Sequence, residues 1–295
     1  MNEPRWLSAQ FPYPPREEVV SGGTMAWVES GRGRDVVCIH GNPTWSFLWR
    51  RVMSALDGHR VRVLAPDLLG CGRSSKPRTV GWHTLDRHAA ALGAWMEARR
   101  LVDPLLVVQD WGGPIGLLAA ARASSVRVAA VCVLNTAVLL PQRFHGTAFH
   151  RLARAPLLAP VLFRGLGFPL GVLDRVQGDR RSISGDVARA YRWPFRRLAD
   201  RAAPLGLARM VPDSPAHPSI PGLTEVDAWM RAFPGPVELV WGRKDPILGR
   251  ALRRHAEQLP RARVTETEAG HFLQEEVPEI IARSIRRLAG MPEAS

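Results

Sequence analysis

The stretch of this 295-residue chain that most limits its fold is Leu105-Leu-Val-Val-Gln109-Asp110-Trp111-Gly112-Gly113-Pro114-Ile-Gly116-Leu117. Four consecutive apolar residues, two of them β-branched, read as a buried parallel strand. Glycines follow Asp110 at once, and the alanine-rich apolar run from Ile115 to Ala121 reads as a helix. A strand, a sharp turn and a helix with one polar residue at the apex is the layout of the G-x-S-x-G elbow. There, small neighbours let a nucleophile sit on a strained turn at the top of a sheet. Asp110 occupies the serine position. A plainer alternative is that Asp110 caps the helix, accepting from its first N–H groups. This stretch alone supports both.

The rest of the chain supplies the context. The first 34 residues hold a hairpin, with Gly22-Gly23 and Gly31-Arg-Gly33 as turn signals. Asp35 to Ile39 is a short buried strand that ends in His40-Gly41-Asn42-Pro43-Thr44-Trp45, and Trp49 to Leu56 reads as helix. Val61 to Ala65 is a strand running into the glycine-rich Pro66-Asp67-Leu-Leu-Gly70-Cys-Gly72-Arg73-Ser74. Thr84 to Arg100 is an amphipathic helix with Thr84 as its cap and Asp86 in the first turn. Val126 to Leu134, Val237 to Trp241 and Ala262 to Thr265 are further strands, and Pro278 to Leu288 closes the chain as a helix. Strands alternating with helices predict an α/β fold, a mostly parallel central sheet with helices on both faces.

The alternation stops after Asn135-Thr136. Residues 137–214 offer only short helix-like pieces cut by Pro141, Pro156, Pro160, Pro169, Pro194 and Pro204. They are expected to form a helical lid inserted into the core. The core is then residues 1–136 and 215–295, rejoined through the proline-dense stretch Pro212 to Pro221.

Composition narrows the function. The net charge is +13 and the only lysines are Lys76 and Lys244. The arginines are scattered and not interleaved with stacking aromatics, so no nucleic-acid partner is expected. Weak attraction to anionic surfaces, lipid head groups included, is compatible with this charge. No 18-residue apolar run occurs, so no integral membrane segment is expected. The first twenty residues contain Pro4, Pro12, Pro14, Pro15 and acids but no apolar h-region, which argues against a secretory signal. Cys38, Cys71 and Cys132 form neither a disulfide framework nor a metal spacing and read as core thiols of a cytoplasmic protein. The nine histidines show no ligand spacing either. No metal and no organic cofactor is expected.

Three chemically able groups fall just past the ends of successive strands: Asp110, Asp245 and His271. Each has a local explanation, Asp245 as a turn-former before Pro246 and His271 as a loop histidine. Together they stand in the order nucleophile, acid, histidine, at the strand ends where open α/β sheets collect their ligands. No G-x-S-x-G occurs, so serine chemistry has no candidate.

On these residues the chain resembles the haloalkane dehalogenase family of α/β-hydrolases along nearly its whole length. The carriers are His40-Gly-Asn-Pro-Thr-Trp-Ser-Phe-Leu-Trp-Arg50, Pro66-Asp-Leu-Leu-Gly-Cys-Gly-Arg-Ser-Ser-Lys-Pro77, Gln109-Asp-Trp-Gly-Gly-Pro-Ile-Gly116 and Gly270-His-Phe-Leu-Gln-Glu-Glu-Val-Pro-Glu279. The resemblance implies hydrolysis of a small apolar haloalkane to alcohol and halide through an alkyl ester of Asp110. His271 would activate water, and Asp245 would orient the imidazole. Halide leaves as an anion and needs only N–H donors in a dry pocket; the Trp111 indole and the Asn42 side-chain amide are the candidates. The backbone N–H groups of Trp111 and Asn42 would hold the oxyanion. Some members use a lid tryptophan as second donor, but Trp193 is the only one here and Asn42 is preferred. Some carry a catalytic Glu after the strand that here ends at Leu134; this chain has Asn135-Thr136, which leaves Asp245. His40 is expected to shape the oxyanion turn, Asp67, Gly70, Gly72 and Ser74 to set a structural loop, and Glu275 and Glu276 to cap or face solvent. Lid residues such as Phe144, Phe149, Phe163 and Phe168 would set pocket size.

Two relatives of this fold compete. The β-lactone decarboxylases of long-chain olefin biosynthesis are similar in their Asp, Asn and Trp and would act on a lipid-derived substrate. They tend to have His where Gln109 stands and Met where Pro114 stands. Epoxide hydrolases protonate an alkoxide with two lid tyrosines, whereas this chain has only Tyr13 and Tyr191.

Overall fold

The computed structural model describes residues 3–141 and 148–291. Phe144 lies outside the described residues. Among the described residues eight strands form one sheet: β1 (Arg16–Val20), β2 (Gly23–Gly31), β3 (Arg34–Ile39), β4 (Val61–Pro66), β5 (Leu105–Gln109), β6 (Ala130–Leu134), β7 (Val237–Gly242) and β8 (Arg263–Thr267). Their order is β1-β2-β4-β3-β5-β6-β7-β8. β1 and β2 form the expected hairpin through Gly22, and β2 runs antiparallel to β4. Every other pair is parallel.

β3, β5 and β6 are buried almost throughout, as strands covered on both faces must be. The chain leaves β3 toward β4 on one side, then crosses to β5 on the other. This puts a topological switch point between the carboxyl ends of β3 and β5.

The helix after β5 spans Gly112–Arg122 and the closing helix spans Pro278–Leu288. The Thr84 side chain accepts from the Arg87 N–H and caps the helix Leu85–Ala98. β6 is shorter than the sequence pattern predicts. It begins at Ala130, because Val126 to Ala129 form an irregular approach in which only Ala129 N–H reaches the segment ahead of β5, at Pro104 O. Among the helices not visible in the sequence pattern are Ile220–Ala232 and Ala251–Gln258. The first opens with Pro221 in its first turn, a position where proline helps a helix start.

Between β6 and β7 no described residue is in a strand. Short helices, among them Ala148–Arg154, Gly185–Arg192 and Ala202–Arg209, make up this segment. It is tied to the core by a buried ionic cluster. Arg50 grips Glu275 through two bonds of 2.6 and 2.9 Å, and the Tyr191 hydroxyl donates to the same carboxylate at 2.5 Å. The expectation that Glu275 caps or faces solvent is therefore corrected: its side chain is fully buried, and Arg50 compensates its charge. Glu276 does cap, accepting from Gly270 N–H at 2.5 Å and Gly178 N–H at 3.2 Å. Arg50→Met, which keeps the volume but strands the Glu275 charge, is expected to cost about 3–5 kcal/mol. A urea melt reads this as a lowered midpoint at unchanged slope.

All three cysteines are buried and free. Among the described residues no helix is long and apolar enough to cross a membrane.

Candidate active site

Asp110 follows β5 with φ +49°, a left-handed conformation that non-glycine residues rarely adopt. Three contacts hold it there. Its N–H donates to Asn135 O at 3.2 Å, and its carbonyl accepts from Gly113 N–H at 3.0 Å and from the Thr136 hydroxyl at 2.5 Å. The strain turns the side chain away from the helix. That helix carries no side-chain cap, so the capping alternative does not describe Asp110.

The carboxylate instead faces the other loops. Oδ1 accepts from the Asn42 N–H at 2.6 Å, and Oδ2 lies 3.5 Å from His271 Nε2. The first contact crosses the switch point between β3 and β5. It requires Gly41, because a Cβ there would stand 2.3 Å from Asp110 Oδ1. Gly112 is required for the same reason, since its Cβ would meet Ile39 O at 2.2 Å.

Asp245 follows β7, and its Oδ2 is 2.9 Å from His271 Nδ1. Its other oxygen accepts from Ile247 N–H at 2.7 Å, which fixes the carboxylate plane. His271 is 1 % exposed. Burial alone would lower the His271 pKa. The Asp245 charge, the hydrogen bond with Asp110 and the bond to Asp245 outweigh that and raise it to about 10. The raised pKa keeps the imidazole protonated between the two side chains.

The residues expected to bind halide lie beside the carboxylate. Trp111 directly follows Asp110 and is 8 % exposed. Among the described residues neither its indole nor its backbone N–H donates to any acceptor. The Asn42 amide gives one N–H to Pro204 O at 3.1 Å, which leaves its second. Trp193 is buried and stacks on Trp45 at 5.9 Å. Burial lowers the His40 pKa, and the ring bonds backbone on both sides, with Nδ1 to Gly41 O and Nε2 accepting from Leu68 N–H. Asp67 accepts from Ser46 and Arg73 N–H groups, at 2.7 Å each, and so fixes its loop.

Two residues of the site have no role assigned from the sequence. The Gln109 amide lies 3.3 Å from His271 Nε2 and 3.2 Å from His271 O, fully buried against that histidine. Asn135, which in the sequence marks only a missing glutamate, bonds the turns that carry Asp110, Asp245 and His271. Its carbonyl takes the Asp110 N–H, its Oδ1 takes Gly242 N–H at 2.9 Å, and its Nδ2 donates to Gly270 O at 2.9 Å. A polar residue at the very end of an otherwise apolar strand is the available signal for both.

The helical segment reaches the site from above. His271 N–H donates to Val176 O at 2.8 Å, and Gln177 bonds both backbone groups of Phe272. His150 is half-buried; its pKa is lowered by burial and by Arg154, and the Asp110 charge partly offsets this, which places it within electrostatic range of that carboxylate. Phe149, Phe163 and Phe168 pack on one another beside it, over Leu205.

Comparison with known proteins agrees with this architecture. Residues 36–278 match the alpha/beta hydrolase fold family. A haloalkane dehalogenase of Mycolicibacterium paratuberculosis is 36% identical over 85% of this chain and 82% of its own. A cis-3-alkyl-4-alkyloxetan-2-one decarboxylase of Shewanella oneidensis is 31% identical over 90% of this chain and 85% of its own. The crystal structure of a haloalkane dehalogenase from Bradyrhizobium elkani superposes with a TM-score of 0.83 at 29% identity, covering 94% of this chain and 98% of that one. The chain therefore belongs to the α/β-hydrolases and, among them, to the haloalkane dehalogenase family, in the branch that neighbours the β-lactone decarboxylases.

Proposed function

We propose that the protein hydrolyses haloalkanes to alcohol and halide through a covalent ester of Asp110. The observation that carries this reading is the placement of the Asp110 carboxylate, with Oδ1 on the Asn42 N–H and Oδ2 toward His271. Oδ2 is the attacking atom. As its bond to carbon forms, the carbon–halogen bond breaks and its electron pair leaves on the halide. The Trp111 indole N–H and the free Asn42 amide N–H receive that anion, and no proton is required.

Oδ1 becomes the ester carbonyl oxygen, already on its Asn42 donor. Esterification removes the Asp110 charge, so one of the two groups that hold the His271 pKa near 10 is lost. The pKa falls, the imidazolium releases its proton to solvent, and the neutral imidazole can then take a proton from the attacking water. The hydroxide adds to Asp110 Cγ, and the oxyanion rests on the Asn42 and Trp111 N–H groups. Collapse expels the alcohol oxygen, which takes the proton back from His271, and the Asp110 carboxyl left behind passes its own proton to the imidazole, which restores the starting pair. Asp245 stabilises the cation in between. Gln109, with its amide N–H aimed at Nε2, favours the neutral imidazole and acts as a positioning residue. Residues 137–214 serve as the lid that excludes bulk water.

The relative that decarboxylates oxetanones supports a second reading, conversion of a β-lactone to alkene and carbon dioxide. An epoxide reading has no such support, because the Tyr191 hydroxyl is bound to Glu275. The test is halide release from 1-bromobutane and 1,2-dibromoethane, with a long-chain cis-β-lactone offered in parallel. Halide and alcohol in equal amounts support dehalogenation. Alkene without activity on any haloalkane sinks it in favour of the decarboxylase.

A further inference from the structure

The outer face of the helical segment is unlike the rest of the surface. Five of the nine large apolar side chains exposed among the described residues fall between positions 157 and 198: Leu157, Leu158, Val161, Leu166 and Leu198. Leu157 and Leu166 are 86% and 76% exposed. They form one patch. Leu157 and Val161 are one helical turn apart, and Leu166 N–H bonds Val161 O at 2.9 Å. Arg201 donates to Arg164 O and Gly165 O, at 2.8 Å each, and to Phe195 O, which draws the stretch that carries Leu198 against the same turn.

The charge around this patch is predominantly positive. Residues 137–214 contain thirteen arginines, no lysine and five acids. Of the acids near the patch, Asp200 is buried against Arg78. Arg164 and Arg197 flank the exposed leucines, and no ion pair involves either of them among the described residues. Unpaired guanidinium groups beside exposed leucines suit an interface where apolar side chains enter acyl chains and cations meet phosphate. The opposite face of the segment carries His150, within electrostatic range of Asp110, and the Phe149 cluster.

We infer that this face of the helical segment docks on an anionic lipid bilayer, and that the enzyme draws apolar substrate from that surface. The docking does not rest on the reaction proposed above, so the two fail separately. A protein partner fits less well, because a leucine patch ringed by unpaired arginines would have to meet an acidic and apolar surface at once. A bilayer with anionic head groups supplies both by its nature.

Flotation of the purified protein with vesicles tests this. Phosphatidylcholine alone is compared with an equal mixture of phosphatidylcholine and phosphatidylglycerol, at low and high salt. Wild type is expected to float with the anionic vesicles and to be released by salt. The double variant Arg164→Ala/Arg197→Ala should bind about 25-fold more weakly, at roughly fivefold per arginine. Leu157→Asp/Leu166→Asp should abolish flotation, with halide release from a water-soluble substrate unchanged. Binding that ignores all four substitutions, or that is equal on neutral vesicles, overturns the inference. So does light scattering that shows an oligomer which the leucine variant splits, because a second copy then covers this face.

Discussion

Asp110→Asn is expected to abolish halide release, by a factor on the order of 10⁴ or more, while the protein stays folded. The substitution is nearly isosteric, so the turn at φ +49° and its bonds to Asn135, Gly113 and Thr136 are backbone features that survive. What disappears is the anionic oxygen beside His271. A neutral amide cannot displace halide from saturated carbon. The His271 pKa should fall from about 10 in the variant, because both the hydrogen bond and the charge contributed by Asp110 raise it. NMR titration of the imidazole reads that shift independently of activity. Retained turnover in a homogeneous preparation of the Asp110→Asn variant would remove Asp110 from the nucleophile's role.

His271→Phe separates the two half-reactions. The nucleophile and halide donors are intact, so a haloalkane should still be attacked once. Without a base the ester persists, and a burst of one halide per enzyme should stop there. Intact-protein mass spectrometry should show the added alkyl group, and peptide mapping should place it on Asp110. Absence of the adduct, with halide still formed, would count against covalent catalysis. In wild type the same chemistry has a pH signature. Hydrolysis of the ester needs neutral His271, so its single-turnover rate should rise with pH and level off below about 10, since the ester lacks the Asp110 charge that raises the pKa of the free enzyme.

The turns that carry Asp110, Asp245 and His271 are legible in the sequence because polar residues and strand rhythm coincide there. Asp110, Asp245 and His271 each follow an apolar run, and the glycines around Asp110 mark a turn too tight for side chains. Gly41 and Gly112 show why, each standing where a Cβ would strike an oxygen. The polar interior is less legible. Glu275 lies in a stretch that reads as an exposed helix start, and its burial depends on Arg50, 225 positions away in the chain. Gln109 and Asn135 act through bonds that span 162 and 135 positions. No local pattern encodes such a partner. The helix Ala251–Gln258 escapes sequence reading for another reason: its arginine-rich sequence has little apolar face, and it is held by contacts such as that of His255 with Val138 N–H at 3.1 Å.

Asn135 has a consequence for how this centre responds to change. One residue joins the turns that carry Asp110, Asp245 and His271, so these turns are a single cooperative unit and no turn opens alone. Substitutions in different turns then share an energetic penalty that is incurred once. Their effects on stability will not add, although the residues changed never touch.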